Sequence, residues 1–127
     1  MGMVIDELSQ RQKEEFKNDL QRLILNDQTF TVLTLNYQIG DEEMQALSES
    51  LKINQTLTYL CFPQKRIGTK SMQALGEALK VNQTLTHLFL NNRIGTEGMQ
   101  ALGEALKVNQ TLTQLELSRN EIGDAAM

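Results

Sequence analysis

The sequence predicts an α/β solenoid, in which short parallel strands and helices alternate and successive copies of one unit stack side by side. The string MQALGEALKVNQTLT occurs at 72–86 and again at 99–113, and an edited copy, MQALSESLKINQTLT, occupies 44–58. Ile-Gly pairs begin at positions 39, 67, 94 and 122, so their spacings are 28, 27 and 28 residues. A unit of this length cannot bury its own apolar face and must pack against its neighbours. We therefore expect an elongated surface rather than an enclosed pocket.

Each unit begins with an extended segment in which apolar residues partly alternate with polar ones, the period of two that is typical of a strand. The apolar positions are Phe30, Leu33 and Leu35, then Leu57, Leu60 and Phe62, then Leu85, Leu88 and Leu90, and finally Leu112, Leu115 and Leu117. These segments are predicted to lie side by side in one sheet.

A helix is predicted after each Ile-Gly pair, with apolar residues at the i, i+3 and i+7 spacing of one helical face. These residues are Met72, Leu75 and Leu79 in one unit and Met99, Leu102 and Leu106 in the next. The predicted N-cap residues have a side-chain oxygen that can accept a hydrogen bond from an unpaired backbone N–H. They are Asp41, Thr69, Thr96 and Asp124.

Small residues lie on the apolar stripe of each helix, and an asparagine follows its end. Because Gly in mid-helix costs roughly 1 kcal/mol relative to Ala, we expect the backbones to approach closely at Ser48, Gly76 and Gly103. Asparagine tolerates the left-handed conformation that ends many helices, and it is predicted to do so at Asn54, Asn82 and Asn109. The Asn-Gln-Thr strings also satisfy the glycosylation rule, but they recur with the repeat and are better explained as helix stops.

The N-terminal segment differs from the repeats, and the chain is divided into a capping helix, residues 1–25, and a repeat array, residues 26–127. The array has three full units and a truncated fourth. An amphipathic helix is predicted from about Asp6 or Ser9 to Leu25. Its apolar face is formed by Phe16, Leu20, Leu23 and Ile24. Such a helix would cover the open end of a stack.

The segment Leu112-x-x-Leu115-x-Leu117-x-x-Asn120-x-Ile122-Gly123 matches the strand-and-turn signature of leucine-rich repeats. With a full helix in each unit, residues 26–127 resemble the ribonuclease-inhibitor-like subclass found in NOD-like receptors and intracellular effectors. The resemblance implies a short horseshoe with a parallel sheet on the concave side and helices on the convex side. It also implies an asparagine ladder between turns, from which this sequence departs. Only Asn120 has the standard register, Lys65 replaces it in the second unit, and Asn92 needs a backbone adjustment.

Composition and charge exclude several classes of partner. The net charge of −4 disfavours nucleic acid, whose binding depends on clustered Lys and Arg. The single cysteine, Cys61, cannot form an internal disulfide. No apolar run is long enough for a signal peptide or a membrane span. We therefore expect a cytoplasmic location and neither nucleic-acid nor membrane binding.

The units differ mainly at outward-facing strand positions, which the resemblance places on the concave side. Two variable columns result, Val32, Tyr59, His87 and Gln114, followed by Thr34, Cys61, Phe89 and Glu116, whereas the preceding column is constant: Thr31, Thr58, Thr86 and Thr113. Because neighbouring strands lie about 4.8 Å apart, Tyr59, His87 and Phe89 are predicted to form one patch. Exposed aromatic residues anchor protein interfaces. The alternative is that these positions vary because packing does not constrain them.

Catalytic, cofactor and metal sites are not predicted. His87 has only Cys61 and Glu116 as neighbouring candidates, too few ligands for a convergent metal site. Cys61 has no oriented base that would make it a nucleophile. The sequence also lacks a Gly-rich phosphate loop.

These observations predict a non-catalytic scaffold that binds a partner protein or peptide on the concave sheet. Two alternatives remain open. Ran GTPase-activating proteins resemble the same subclass, so the chain could be a fragment of such an activator. The fourth unit stops at Met127, so the apolar face expected there could instead mediate self-association, most simply as a homodimer.

Overall fold

Helices and strands alternate along the chain in a computed structural model that describes residues 2–63, 67–90 and 94–117, with side chains from residue 10 onward. The elements are α1 Gly2–Ile24, β1 Val32–Thr34, α2 Asp41–Ile53, β2 Tyr59–Phe62, α3 Thr69–Val81, β3 His87–Leu90, α4 Thr96–Val108 and β4 Gln114–Leu117. The strands are parallel and their order in the sheet is β1-β2-β3-β4. The predicted α/β leucine-rich repeat solenoid is confirmed.

The core lies between the sheet and the helices. The central leucines of β1, β2 and β3, Leu33, Leu60 and Leu88, are adjacent in the strand register and buried. The predicted stripe of α3 is also buried. In α4, by contrast, Leu106 is 37% exposed, so the prediction of a buried stripe holds only in part.

Helix α1 begins earlier than predicted, at Gly2 rather than Asp6 or Ser9. Its side chains Phe16 and Leu23 are buried, and Leu20 packs against the core. Ile24 was assigned to this face wrongly, because it is 51% exposed. At 3.6 residues per turn, Ile24 lies about 80° around the helix from Phe16. The helix packs beside α2.

The predicted N-caps are wrong at the three helices that the structure describes. Asp41, Thr69 and Thr96 are the first helical residues, and the preceding glycines, Gly40, Gly68 and Gly95, are the N-caps, with extended backbone. Glycine has no side chain that could cap the helix, but Gly40 N donates to Glu43 Oε1 at 2.8 Å. Glycine is accepted at this position at little cost. Asp41 instead accepts a hydrogen bond from Ser71 Oγ at 2.6 Å and so joins α2 to α3. Asp124 lies outside the described residues.

The asparagines after the helices do not adopt the predicted left-handed conformation. Asn54 has φ −74° and ψ 138°, and Asn82 and Asn109 are similarly extended. Among the described residues other than glycine, positive φ occurs at Asn26, where it is 53°. Asn26 follows α1, so a left-handed stop is formed at the first helix alone.

The side chains of these asparagines explain their recurrence, because each joins two units. Asn54 Nδ2 donates to Leu23 O at 2.9 Å, and its Oδ1 accepts from the backbone N–H groups of Thr56 and Leu57. The same Nδ2 bond recurs from Asn82 to Leu51 O and from Asn109 to Leu79 O, both at 2.7 Å. This asparagine ladder lies at the helix-to-strand turns. The positions of the ladder implied by the resemblance, Lys65, Asn92 and Asn120, lie outside the described residues.

The predicted close approach at the small residues is confirmed at one glycine and wrong at another. A Cβ on Gly76 would lie 3.1 Å from Ala101 O, in the neighbouring helix. At Gly103 it would meet no described atom within 4 Å. The two glycines occupy the same place in identical strings, so the difference arises from their surroundings.

Candidate functional site on the open face of the sheet

The face of the sheet that points away from the helices, here called the open face, carries all eight residues predicted to bind a partner. The strand register forms both predicted columns: Val32, Tyr59, His87 and Gln114, then Thr34, Cys61, Phe89 and Glu116. Residues between the columns point inward, as the burial of Leu60 and Leu88 shows. Tyr59, Cys61, His87 and Phe89 are half-buried, whereas the flanking members of the columns are exposed.

The aromatic side chains of β2 and β3 form a contiguous ring cluster, Tyr59, His87 and Phe89. The ring centroids of Tyr59 and Phe89 lie 4.9 Å apart, and those of Tyr59 and His87 lie 6.1 Å apart with an interplanar angle of 24°. Aromatic pairs at these separations attract one another beyond their burial. The ring cluster is therefore an ordered aromatic patch at the centre of the open face.

His87 is oriented by the threonine that precedes it. The hydroxyl Oγ1 of Thr86 lies 2.8 Å from His87 Nδ1 and also donates to Thr58 O at 3.1 Å. A hydroxyl has one proton, so when that proton is donated to Thr58 O, the oxygen can only accept from the imidazole. Nδ1 is then the protonated nitrogen of neutral His87, and Nε2 is left as the acceptor.

The constant threonine column forms hydrogen bonds that the sequence analysis missed. Thr58 Oγ1 donates to Thr31 O at 3.2 Å, Thr86 Oγ1 to Thr58 O, and Thr113 Oγ1 to Thr86 O at 3.2 Å. The sequence signal that could have revealed these bonds is that this column is threonine in all four units, although it lies in an exposed part of the unit where other positions vary. These bonds join neighbouring strands at the residues that directly precede Tyr59 and His87 of the ring cluster.

Cys61 lies beside the ring cluster and is a free, half-buried thiol. Burial raises the pKa of this thiol above its ordinary value, so the unreactive protonated form is favoured at neutral pH. In the described part of the chain, no three His, Cys, Asp or Glu side chains come together in a group able to hold a metal ion. None of the helices described is both long and apolar enough to cross a membrane.

Comparison with known proteins identifies the repeats. The leucine-rich repeat family matches residues 81–103 and 108–127, which include α4 and β4. The same helix, turn and strand recur in the other units described above. The chain therefore contains leucine-rich repeats.

Two solved structures are similar over most of the chain. Actin-binding site 2 of leiomodin-1 is 30% identical, with a TM-score of 0.75, over 87% of this chain and 67% of that one. The C-terminal domain of tropomodulin from Caenorhabditis elegans is 15% identical, with a TM-score of 0.74, over 87% of this chain and 70% of that one. The second likeness concerns the fold alone. No curated protein matches the chain.

Proposed function

We propose that the chain is a non-catalytic scaffold that binds a partner protein or peptide on the open face, the concave side of the horseshoe implied by its sequence. The ring cluster carries this proposal, because it places three partly exposed rings in contact at the centre of the face. Tyrosine and phenylalanine in such positions contribute strongly to protein interfaces. The exposed residues around it, Val32, Thr34, Gln114 and Glu116, form a rim.

Rigidity supports binding in this arrangement. The strand backbones carrying the cluster are held by the sheet, by the threonine column and by the asparagine ladder. A surface that is ordered before binding loses less conformational entropy when the partner arrives. The scaffold thus acts by presenting side chains in fixed positions.

Actin is the first candidate partner. The 30% identical structure is described as an actin-binding site, and its likeness extends over 87% of this chain. We extend that partner to this chain as part of the proposal.

The test is cosedimentation with filamentous actin, together with binding of monomeric actin followed by fluorescence. Tyr59→Ala and Phe89→Ala should each weaken binding about 30-fold, as expected for hot-spot residues. Gln114→Ala is the matched comparison, since Gln114 shares a column with Tyr59 but lies in the rim, and it should weaken binding much less than the aromatic variants. Unchanged binding by both aromatic variants, with folding intact, would refute the open face as the site. Absence of actin binding by the wild-type chain would refute actin as the partner but not the open face as the binding site.

Several finer assignments belong to the same proposal. We place the chain in the ribonuclease-inhibitor-like subclass, in the cytoplasm, with residues 1–25 as a capping unit and without a cofactor. The protonated thiol of Cys61 supports a non-catalytic role.

The alternative of a Ran-type GTPase activator stays a prediction, which a GTP-hydrolysis assay with small GTPases decides. The predicted self-association falls on residues 118–127, outside the described part of the chain.

A further inference from the structure

One backbone carbonyl at the start of β1 receives an unusual number of hydrogen bonds. Thr31 O accepts from Thr58 N at 2.9 Å, from Tyr59 N at 3.1 Å and from Thr58 Oγ1 at 3.2 Å. Three donors of one strand therefore converge on one oxygen of the preceding strand. We call this donor set, two successive backbone N–H groups and the threonine hydroxyl, the carbonyl clamp.

The carbonyl clamp recurs in the next two units. Thr58 O accepts from Thr86 N at 2.9 Å, His87 N at 2.9 Å and Thr86 Oγ1 at 3.1 Å. Thr86 O accepts from Thr113 N at 2.8 Å, Gln114 N at 3.0 Å and Thr113 Oγ1 at 3.2 Å. The distances agree closely in three copies, and each copy has the constant threonine at the same place.

The first copy of the clamp has its donors but no acceptor among the described residues. Thr31 and Val32 supply the equivalent N–H groups and hydroxyl, and none of the three donates to an atom in the described part of the chain. Thr31 is exposed and Val32 is 53% exposed. Both residues lie at the outer edge of the sheet, since β1 is a terminal strand.

The start of β1 is held in place although its edge is open. Arg22 Cζ lies 4.0 Å above the ring of the buried Phe30, and Arg22 Nε also bonds Asp27 at 2.9 Å. Leu35 N donates to Cys61 O at 3.0 Å at the other end of the strand. The N–H groups and hydroxyl of Thr31 and Val32 are therefore held in position by contacts within the chain itself.

We propose that the outer edge of β1 binds an extended peptide segment, which adds to the sheet in parallel and places one main-chain carbonyl in the clamp of Thr31 and Val32. The occupant is a polypeptide strand because the three filled clamps each hold a main-chain carbonyl of a parallel strand. Strand addition of this kind derives affinity from main-chain bonds and selectivity from alternate side chains. The exposed Val32 side chain favours an apolar residue beside it. This site is on the sheet edge; it includes Val32 of the open-face rim but no residue of the ring cluster.

A synthetic peptide with the sequence of residues 110–118, QTLTQLELS, is the probe, acetylated and amidated at its ends. It contains a strand sequence of the repeat and can present a carbonyl equivalent to Thr31 O. Binding is measured by fluorescence anisotropy of a labelled copy and by amide NMR. The expected result is saturable binding with new protection from exchange at the Thr31 and Val32 amides.

Two variants remove individual donors of the clamp. Val32→Pro removes one outward N–H at the first residue of an edge strand, where proline is tolerated, and should weaken peptide binding about tenfold. Thr31→Val removes only the hydroxyl, preserves the β-branched shape and should weaken binding about threefold to tenfold. Thr113→Val removes a hydroxyl from a filled clamp and is the control that should bind the peptide like wild type. Val32→Thr retains the N–H but changes the side chain, so it should weaken binding less than Val32→Pro. Thermal unfolding confirms that each variant is folded.

Equal affinity of wild type, Val32→Pro and Thr31→Val for the peptide would overturn the proposal. So would undiminished binding of a peptide N-methylated at the position of Leu117, which corresponds to the ladder donor Leu35. Sedimentation that shows self-association abolished by Val32→Pro, without peptide binding, would assign the edge to a second copy of the chain instead. If the proposal holds, Tyr59→Ala and Phe89→Ala should bind this peptide like wild type, which separates this test from that of the open face.

Discussion

Helices α3 and α4 can be compared directly, because residues 72–86 and 99–113 are identical in sequence but differ in their surroundings. Leu79 is 1% exposed and its counterpart Leu106 is 37% exposed. α3 packs between α2 and α4, whereas among the described helices α4 packs against α3. Identical residues are thus buried or open according to whether a second unit covers them, as expected when stability resides largely in interfaces between repeats.

Truncation of the paired leucines is expected to give the largest difference between the two helices. Leu79→Ala should lower the free energy of unfolding by about 3 kcal/mol, since it leaves a cavity in a fully packed site. Leu106→Ala should cost about 1 kcal/mol, because much of that side chain already contacts water. Urea denaturation of both variants measures the difference. Equal losses would show that the region following α4 covers Leu106 in solution as well as a neighbouring unit covers Leu79.

The paired asparagines provide the second test. Asn82→Ala leaves Leu51 O and the N–H groups of Thr84 and Leu85 without their side-chain partner in a buried turn. We expect a loss of about 2 kcal/mol, the penalty for unsatisfied buried polar groups. Asn109→Ala should cost about 1 kcal/mol, because water can reach the half-buried turn and replace part of the bonding.

Urea denaturation again measures both asparagine variants, and hydrogen exchange at Leu85 and Leu112 reports each turn separately. Asn82→Asp is the matched control, as it keeps the acceptor oxygen but replaces the donor to Leu51 O. Its carboxylate would face Leu51 O and Asn54 O in a buried turn, so at neutral pH it should be at least as destabilising as Asn82→Ala. An Asn82→Ala variant as stable as wild type would contradict a structural role for the ladder.

The paired glycines should respond with opposite sign. Gly103→Ala adds a methyl group where no described atom lies within 4 Å, so it should stabilise the chain by about 0.5–1 kcal/mol through helix propensity. At Gly76 the same methyl would lie 3.1 Å from Ala101 O. Displacing the backbone of α4 should outweigh the propensity gain and give a net loss of about 1 kcal/mol. Melting temperatures of the two variants that shift in the same direction would contradict this interpretation.

These pairs also show how far sequence could predict the fold. The repeat period and the strand and helix patterns were sufficient for the element order, the parallel sheet and both columns of the open face. Identical strings, however, predict identical burial, so the exposure of Leu106 and the free space at Gly103 could not be inferred. Those properties depend on which neighbours surround a unit.

Local hydrogen bonding was predicted less well than architecture. Residue preferences for caps assigned Asp41 and Asn54 to their own helices, whereas each bonds a neighbouring unit. Such bonds cannot be derived from the local propensity of one unit. At the candidate site, variation between units predicted the ring cluster. The carbonyl clamps were not predicted, because they are formed by threonines that do not vary between units.

The paired ion pairs on α3 and α4 should give the smallest effects. Lys80 Nζ lies 2.9 Å from Glu77, and Lys107 Nζ lies 3.0 Å from Glu104, both on exposed surfaces. Exposed pairs contribute little to stability. The hydrogen bond and charge of Lys80, with a further contribution from Lys52 in the preceding unit, lower the pKa of Glu77 below its ordinary value of 4.5.

The sign of the pH dependence follows from that lowered pKa. Because folding favours the ionised carboxylate of Glu77, its stabilising contribution is complete above pH 4.5 and is lost as pH falls through the lowered pKa. Carbon-detected NMR titration measures the pKa directly. Lys80→Gln should raise it towards 4.5 and Lys52→Gln should raise it less, because Lys80 alone forms the hydrogen bond. Lys107→Gln is the control and should leave the pKa of Glu77 unchanged. If Lys52→Gln had the larger effect, packing between units rather than the pair within α3 would govern this carboxylate.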